Sequence, residues 1–170
     1  MRAISNATPL IYLGKLGQLD LLFKLFEAIF IPTEVYKEVV TNGLRLGVPE
    51  AELVRYLVHR GNIQVVQPIL PTLLPAWAQP VDAGEIEVIL LAQQHSADWV
   101  LIDNQHARQA ARKVGLSLKG TVGLLLDAYY RQIISLHELE FLLYRIKSQP
   151  DFWVSDRLCD QALARARQAA

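Results

Sequence analysis

Four polar side chains stand where chemistry at the edge of a β-sheet would need them. Asn6 follows the short run Arg2–Ser5, and Asp103 follows the apolar run WVLI, with Asn104 and Gln105 behind it. Both runs read as strands, and in an open parallel sheet ligands bind just beyond the C-terminal strand ends. Glu38 lies in IPTEVYKEVV, on a helix that follows a strand, and Glu85 follows Gly84 in DAGEIEVILLA. Glycine at that point permits close approach of backbone or ligand. Carboxylates that converge on one point repel unless a cation sits among them. Oxygen-only donors suit Mg²⁺ or Mn²⁺, and such ions activate water and stabilise the charge on a phosphodiester under in-line attack. Each residue also has a plainer reading. Asp103 can be a helix N-cap, Glu38 a solvated helix residue, and Glu85 the capping-box partner of Asp82. Glu34 and Glu87 are neighbouring acids easily confused with Glu38 and Glu85, and periodicity alone does not decide which acids converge.

The elements that must position these residues alternate. Strands are expected at Arg2–Ser5, Ala28–Ile31, Ile63–Val66, Trp99–Ile102 and Leu116–Leu118. The all-apolar run AIFI is of the kind buried on both faces of a parallel sheet. Helices are expected from Thr8, as N-cap with Pro9 at the first helical position, then over Leu19–Phe26 and over Glu34–Thr41 with a stop at Asn42-Gly43. Further helices follow over Pro49–His59, from Asp82 to Gln94, over Asn104–Val114, from Thr121 to Tyr130, over Leu136–Ile146 and over Asp156–Arg167. Pro68, Pro71, Pro75 and Pro80 mark a surface loop rather than a domain linker, since patterned segments continue on both sides. The alternation predicts an α/β fold with a mostly parallel sheet. The length of 170 residues fits one domain.

Lys plus Arg equals Asp plus Glu at 17 each, so the net charge is zero. This argues against a generic polyanion binder but leaves room for a local patch. Arg108, Arg112, Lys113 and Lys119 form one, joined by His106. Arg108 and Arg112 share a helix face, where a phosphate backbone could lie, although a solvated face is the plainer reading. The single cysteine, Cys159, suits a reducing, cytoplasmic setting. No apolar stretch approaches a membrane span, and the N-terminal apolar run is too short for a signal sequence. There is no GxxxxGK[ST] loop, no GxGxxG after a strand and no GxSxG elbow. The four histidines lack zinc-ligand spacing. Ser5 and Thr8 read as turn and cap residues.

Taken in order, ISNATPLIYLGKLGQLDLL, IPTEVYKEVV, DAGEIEVILLA, VLIDNQHARQAARKVGL and KGTVGLLL resemble the PIN-domain superfamily. The likeness is to the branch of small prokaryotic PIN-like proteins related to VapC toxins, and it runs from Ile4 to about Leu158. It implies a three-layer α-β-α fold around a mostly parallel four- to five-stranded sheet. It also implies one PIN-like domain over 1–170, with the helices from 136 packed on it. By position, the acidic pocket falls on Asn6, Glu38, Glu85 and Asp103, with Mg²⁺ or Mn²⁺ as cofactor. Thr8 and Thr121 fall where hydroxyl residues support that pocket, and Asn104 where many relatives carry a further acid. Most active PIN nucleases have Asp at the position of Asn6. Asparagine still ligates through its carbonyl oxygen but brings no charge.

The resemblance implies a metal-dependent endoribonuclease, the toxin of a toxin–antitoxin pair, with RNA as substrate and a small antitoxin and a second copy of the chain as partners. The neutral Asn6 and the zero net charge keep a second reading open. In it the chain is a catalytically weak or inactive PIN-like module that binds nucleic acid or protein. A third is an interaction subunit, motivated by the apolar stripe Leu136, Leu139, Leu142, Leu143 and Ile146.

Overall fold

A computed structural model describes residues 1–169. Five strands form one sheet: β1 (Arg2–Ser5), β2 (Ala28–Pro32), β3 (Ile63–Val66), β4 (Trp99–Leu101) and β5 (Leu118–Lys119), in the order β3-β2-β1-β4-β5. Every ladder is parallel. Ile4 pairs with Phe30 on one side and with Val100 on the other, which places β1 in the sheet centre. Parallel pairing requires a crossover between strands, and helices supply each one. The result is the three-layer α/β architecture expected of a PIN-like chain.

The order of strands matters more than their number. The chain builds β1, β2 and β3 outward in one direction, then returns past β1 to lay down β4 and β5 on the other side. The direction of winding therefore reverses between β1 and β4. A crevice opens at such a switch point, because the helices leaving the two strands diverge to opposite faces. Asn6 and Asp103 lie just past the ends of these two strands.

Helix α1 (Ala7–Leu16) leaves β1, and α2 (Asp20–Leu25) leads to β2. After β2 come α3 (Thr33–Tyr36), a π-helical stretch (Lys37–Asn42) and α4 (Gly43–Leu46). The expected stop at Asn42-Gly43 is therefore overturned. Both residues keep right-handed helical angles, and the left-handed C-cap is Gly47 instead. Gly43 serves close packing, since a Cβ there would lie 2.7 Å from the Ala51 Cβ. The extra residue of the π turn shifts the register of the helix at Glu38. Helix α5 (Pro49–His59) packs on α1, and α6 (Ala83–Gln94) crosses from β3 to β4. From Glu85 to Ala92 every residue of α6 is buried, against β1, β2 and β4. That explains the unbroken run Val88–Ala92, which has no solvent face to mark. Helix α7 (Gln105–Lys113) precedes β5. The proline-rich stretch is a loop with only a short 3₁₀ turn at Ala76–Ala78.

Two starts differ from expectation. α1 begins at Ala7 with Asn6, not Thr8, in the N-cap position. β5 lies two residues later than the apolar pattern suggested, because a two-residue edge strand carries almost no periodic signal.

The backbone separates into two compact units, Met1–Lys119 and a second from Gly120 onward. The second contains α8 (Thr121–Tyr130), α9 (Leu136–Ser148) and α10 (Asp156–Gln168). Ser135 and Glu138 close a capping box on α9, with bonds of 2.7 and 3.2 Å. Leu139, Leu142, Leu143 and Ile146 are buried, as are Cys159, Ala162 and Ala166 on α10. Arg167 pairs with Glu140 at 2.8 Å, and Lys147 with Asp160 at 2.6 Å.

The α1–α5 contact depends on glycine. A Cβ at Gly14 would stand 2.6 Å from the Glu50 Cβ, well inside contact distance. Gly14→Ala is expected to push the two helices apart and to lower stability by about 1–3 kcal/mol, the usual range for overpacking. Urea unfolding should show a lower midpoint at unchanged slope; an unshifted midpoint would mean that the contact is slack.

Candidate functional site

The hydrogen-bond ladder runs one step beyond β1, where the Asn6 backbone N–H donates to the Leu101 carbonyl at 2.9 Å. This fixes Asn6 at the mouth of the switch point. Its backbone is extended (φ −75°, ψ 173°), as an N-cap residue should be, yet its side chain makes no capping bond. Asparagine is among the strongest N-cap residues, so its side chain is held elsewhere. The Asn6 Nδ2 faces the Glu85 Oε1 at 3.5 Å. Asn6 is 4% exposed, and its Oδ1 is buried with no hydrogen-bond partner. Turning the amide over would set two acceptor oxygens face to face, so the contact with an ionised Glu85 orients it. A buried acceptor without a donor costs about 1–3 kcal/mol, which makes Oδ1 a place where a cation or a proton donor would be gained.

Glu85 plays two parts. The capping box read from the sequence is present, with the Asp82 N–H donating to the Glu85 Oε2 at 3.4 Å. The other carboxylate oxygen faces Asn6. Glu85 is 7% exposed. Burial pushes its carboxyl above the ordinary value of 4.5, and the charges of Asp82 and Glu38 push the same way. The Asp82 amide and His106 oppose the shift. Glu38 is raised as well, first by burial of its carboxyl and then by Asp82. Its Oε2 lies 3.7 Å from where a Cβ at Gly84 would stand, so Gly84 leaves room between α6 and the Glu38 carboxylate. Asn6, Glu38 and Glu85 thus share one neighbourhood, and Asp82 joins them. Asp82 is the residue that sequence reasoning assigned to capping alone. The signal was available, since an N-cap three residues before a buried Glu lies on the same end of the helix.

The neighbouring acids separate from this group. Glu87, 6% exposed, accepts the Glu34 backbone N–H at 3.1 Å and so closes the N-terminus of α3 from another helix. Glu34 in turn binds Lys37.

Asp103 and Asn104 divide the work at the end of β4. Asn104 is the cap of α7, accepting the N–H groups of His106 and Ala107 at 2.8 and 3.1 Å. The capping role considered for Asp103 therefore falls to its neighbour. Asn104 is a structural residue here, with its side-chain oxygen directed at the helix. Asp103 is half-buried and close enough to Arg108 to act on its charge. Thr8 is half-buried within α1, and Thr121 is buried at the start of α8 in the second unit.

The basic residues do not form one face. Arg112 and Lys113 are exposed, and Lys113 borders a small cleft with Trp77 and His106. Lys119 sits over the Trp99 ring, 3.8 Å from its centre. Arg108 turns back toward the sheet, and its Nη1 donates to the Ile102 carbonyl at 2.6 Å. A larger cleft of about 540 Å³, lined by Tyr36, Arg55, Tyr56 and His59, includes none of the four pocket residues.

The oxygen donors of Asn6, Glu38 and Glu85 fit a hard divalent ion in kind. Among the described residues, however, no three His, Cys, Asp or Glu side chains are already gathered as a metal cluster. The orphaned Asn6 oxygen and the two desolvated carboxyls are the features that an ion would satisfy.

A family model described as a PIN domain matches residues 2–168. A search of curated proteins returned no match.

Carboxyls raised above 4.5 in the folded state bind their protons more tightly there than in the unfolded chain. Their contribution to stability is therefore greatest at low pH and is lost as pH rises through the raised values. Glu85→Gln keeps an acceptor for the Asp82 amide and removes one of these groups. Melting temperatures in chelator, from pH 4.5 upward past neutrality, should fall less steeply for the variant than for the parent. Parallel curves would show that Glu85 ionises in the fold as it does in water.

Proposed function

The chain belongs to the PIN-domain family, and from that premise we propose that it is a divalent-metal-dependent endoribonuclease serving as the toxin of a toxin–antitoxin pair. PIN domains are generally nucleases, hydrolases of phosphodiester bonds, and they typically use divalent metals. The observation that carries the reading is the buried, unpartnered Oδ1 of Asn6 beside Glu85 at the β1–β4 switch point. Capping, folding and core packing give that oxygen no partner, whereas an ion would.

Asn6, Glu38, Glu85 and Asp103 would hold Mg²⁺ or Mn²⁺. When bound, such an ion supplies an activated water and offsets the charge that builds on a phosphodiester. The residues of the chain do the rest. The ionised forms of Glu38 and Glu85 would hold the ion, so ion binding and pH are coupled. The Asp82 amide anchors one oxygen of Glu85 and leaves the other turned inward. Asp103 supplies negative charge at the end of β4, and Asn104 fixes the turn that carries it. Arg112 and Lys113, exposed on α7, offer charge to the RNA backbone. Lys119 adds to this less than expected, because its ammonium is engaged with Trp99.

A small antitoxin would keep such an enzyme inactive in its own cell, and PIN-like chains commonly pair as homodimers. The proposed setting is the cytoplasm. No helix of the described residues is long and apolar enough to cross a membrane.

One observation favours a second reading. Asn6 brings no charge, and the acids do not stand as a finished cluster. On that reading the chain is a catalytically weak or inactive module that binds nucleic acid or protein.

Cleavage of single-stranded and structured RNA in Mn²⁺ separates the two. The parent is expected to cut, and Glu38→Gln, Glu85→Gln and Asp103→Asn should each lower the rate by about 10- to 100-fold or more, as loss of metal-site groups does. A parent that binds RNA without cutting it supports the module. Equal cutting by parent and variants would remove these residues from the site.

A further inference from the structure

Arg108 is half-buried, and the fold turns its side chain back toward the sheet. It is six residues beyond Ile102, in the second turn of α7, yet its guanidinium returns to the strand end and bonds the Ile102 carbonyl at 2.6 Å. Ile102 lies just past the end of β4, where it donates to the Lys119 carbonyl of β5 at 2.9 Å. The Asn104 cap and the Arg108 bond together brace the turn that contains Asp103. A guanidinium has five N–H donors in a rigid fork, and a single carbonyl engages one of them. Burial lowers the affinity of Arg108 for its proton, as does Arg112, while Asp103 opposes this. An arginine stays charged under such pressure. The rim of the sheet therefore holds a half-buried cation at the end of β4, with Asp103 as its acidic neighbour and one carbonyl as its anchor.

We infer that Arg108 is a phosphate-binding residue, which grips a phosphodiester of single-stranded RNA at the C-terminal end of β4 rather than contributing to a diffuse basic face. The inference rests on the proposed function for the identity of the ligand. The anchor to Ile102 gives it geometric content. A guanidinium held at one nitrogen presents its fork in a fixed direction, which suits bidentate recognition of phosphate. The exposed Arg112 and Lys113 have no such anchor and act at longer range.

The test is the salt dependence of binding of a short single-stranded RNA, measured in chelator so that no cleavage occurs. Each phosphate contact on a single strand contributes about 0.7 to the slope of log affinity against log salt. Arg108→Ala is expected to bind more weakly and to lose about one such increment, whereas Arg108→Lys, which keeps the charge, should retain the slope. Circular dichroism of each variant establishes that the fold is kept. An unchanged slope in Arg108→Ala would overturn the inference and leave Arg108 a brace for the Asp103 turn. So would a parent that does not bind RNA. Cleavage of the same RNA in Mn²⁺ is read alongside. Binding with the expected slope loss but no cleavage sustains Arg108 and defeats the nuclease reading. Cleavage with an unchanged slope does the reverse.

Discussion

The hydrogen bond from the Asn6 amide to the Leu101 carbonyl extends the β1–β4 ladder one residue past the strand. Much of the site follows from it. A parallel sheet sends all its strand ends to one edge, and reversal of the winding between β1 and β4 opens that edge at a single place. With its backbone held by Leu101, Asn6 cannot leave the crevice, and its side chain faces inward rather than capping α1. The helix that bridges the two halves of the sheet, α6, then brings Glu85 up to it. The position of each group is a consequence of connectivity, and the polarity of the crevice is a consequence of position.

Burial of acids there has an energetic cost, which the chain meets unevenly. Glu87 is as buried as Glu85 but receives the N–H of Glu34, and so closes a helix end. Glu85 has one oxygen on the Asp82 amide and the other against an amide that gives it only a long contact. Glu38 is pushed up by lost solvent and by Asp82. Buried polar groups are nearly always paired, and among the described residues the buried side-chain atom without a partner is the Asn6 Oδ1, at this point. Such an atom is the usual mark of a site that waits for a ligand. The Asp82–Glu85 capping box shows that a structural role and a site role can reside in one residue, since each carboxylate oxygen serves a different purpose.

Much of this was legible in the residues. The strand order could not be read from periodicity, but the apolar runs and the polar residues behind them marked the elements and the places of Asn6 and Asp103 just past two strand ends. The capping box at Asp82 and the helix from Pro49 stand as the spacing indicated. The failures have physical causes. Gly43 reads as a stop because glycine usually ends helices, but here it makes room for Ala51. Asn6 displaces Thr8 from the N-cap because the β1 ladder, a tertiary feature, decides where the helix begins. Arg108 and Arg112 share a helix face by spacing, yet it is Arg108, one turn nearer the strand end, that reaches the Ile102 carbonyl. Asp82 was legible as a cap and not as a neighbour of Glu38, because their proximity depends on the packing of α6 against α3.

The central claim is that the unpartnered oxygen of Asn6 and the raised carboxyls of Glu38 and Glu85 form a site for a divalent ion. Calorimetric titration of the protein with Mn²⁺ tests this most directly. The account predicts a saturable site that weakens by at least about tenfold in Glu85→Gln and tightens in Asn6→Asp, which restores the missing charge. No saturable binding in the parent or in Asn6→Asp, or binding indifferent to both substitutions, would contradict it.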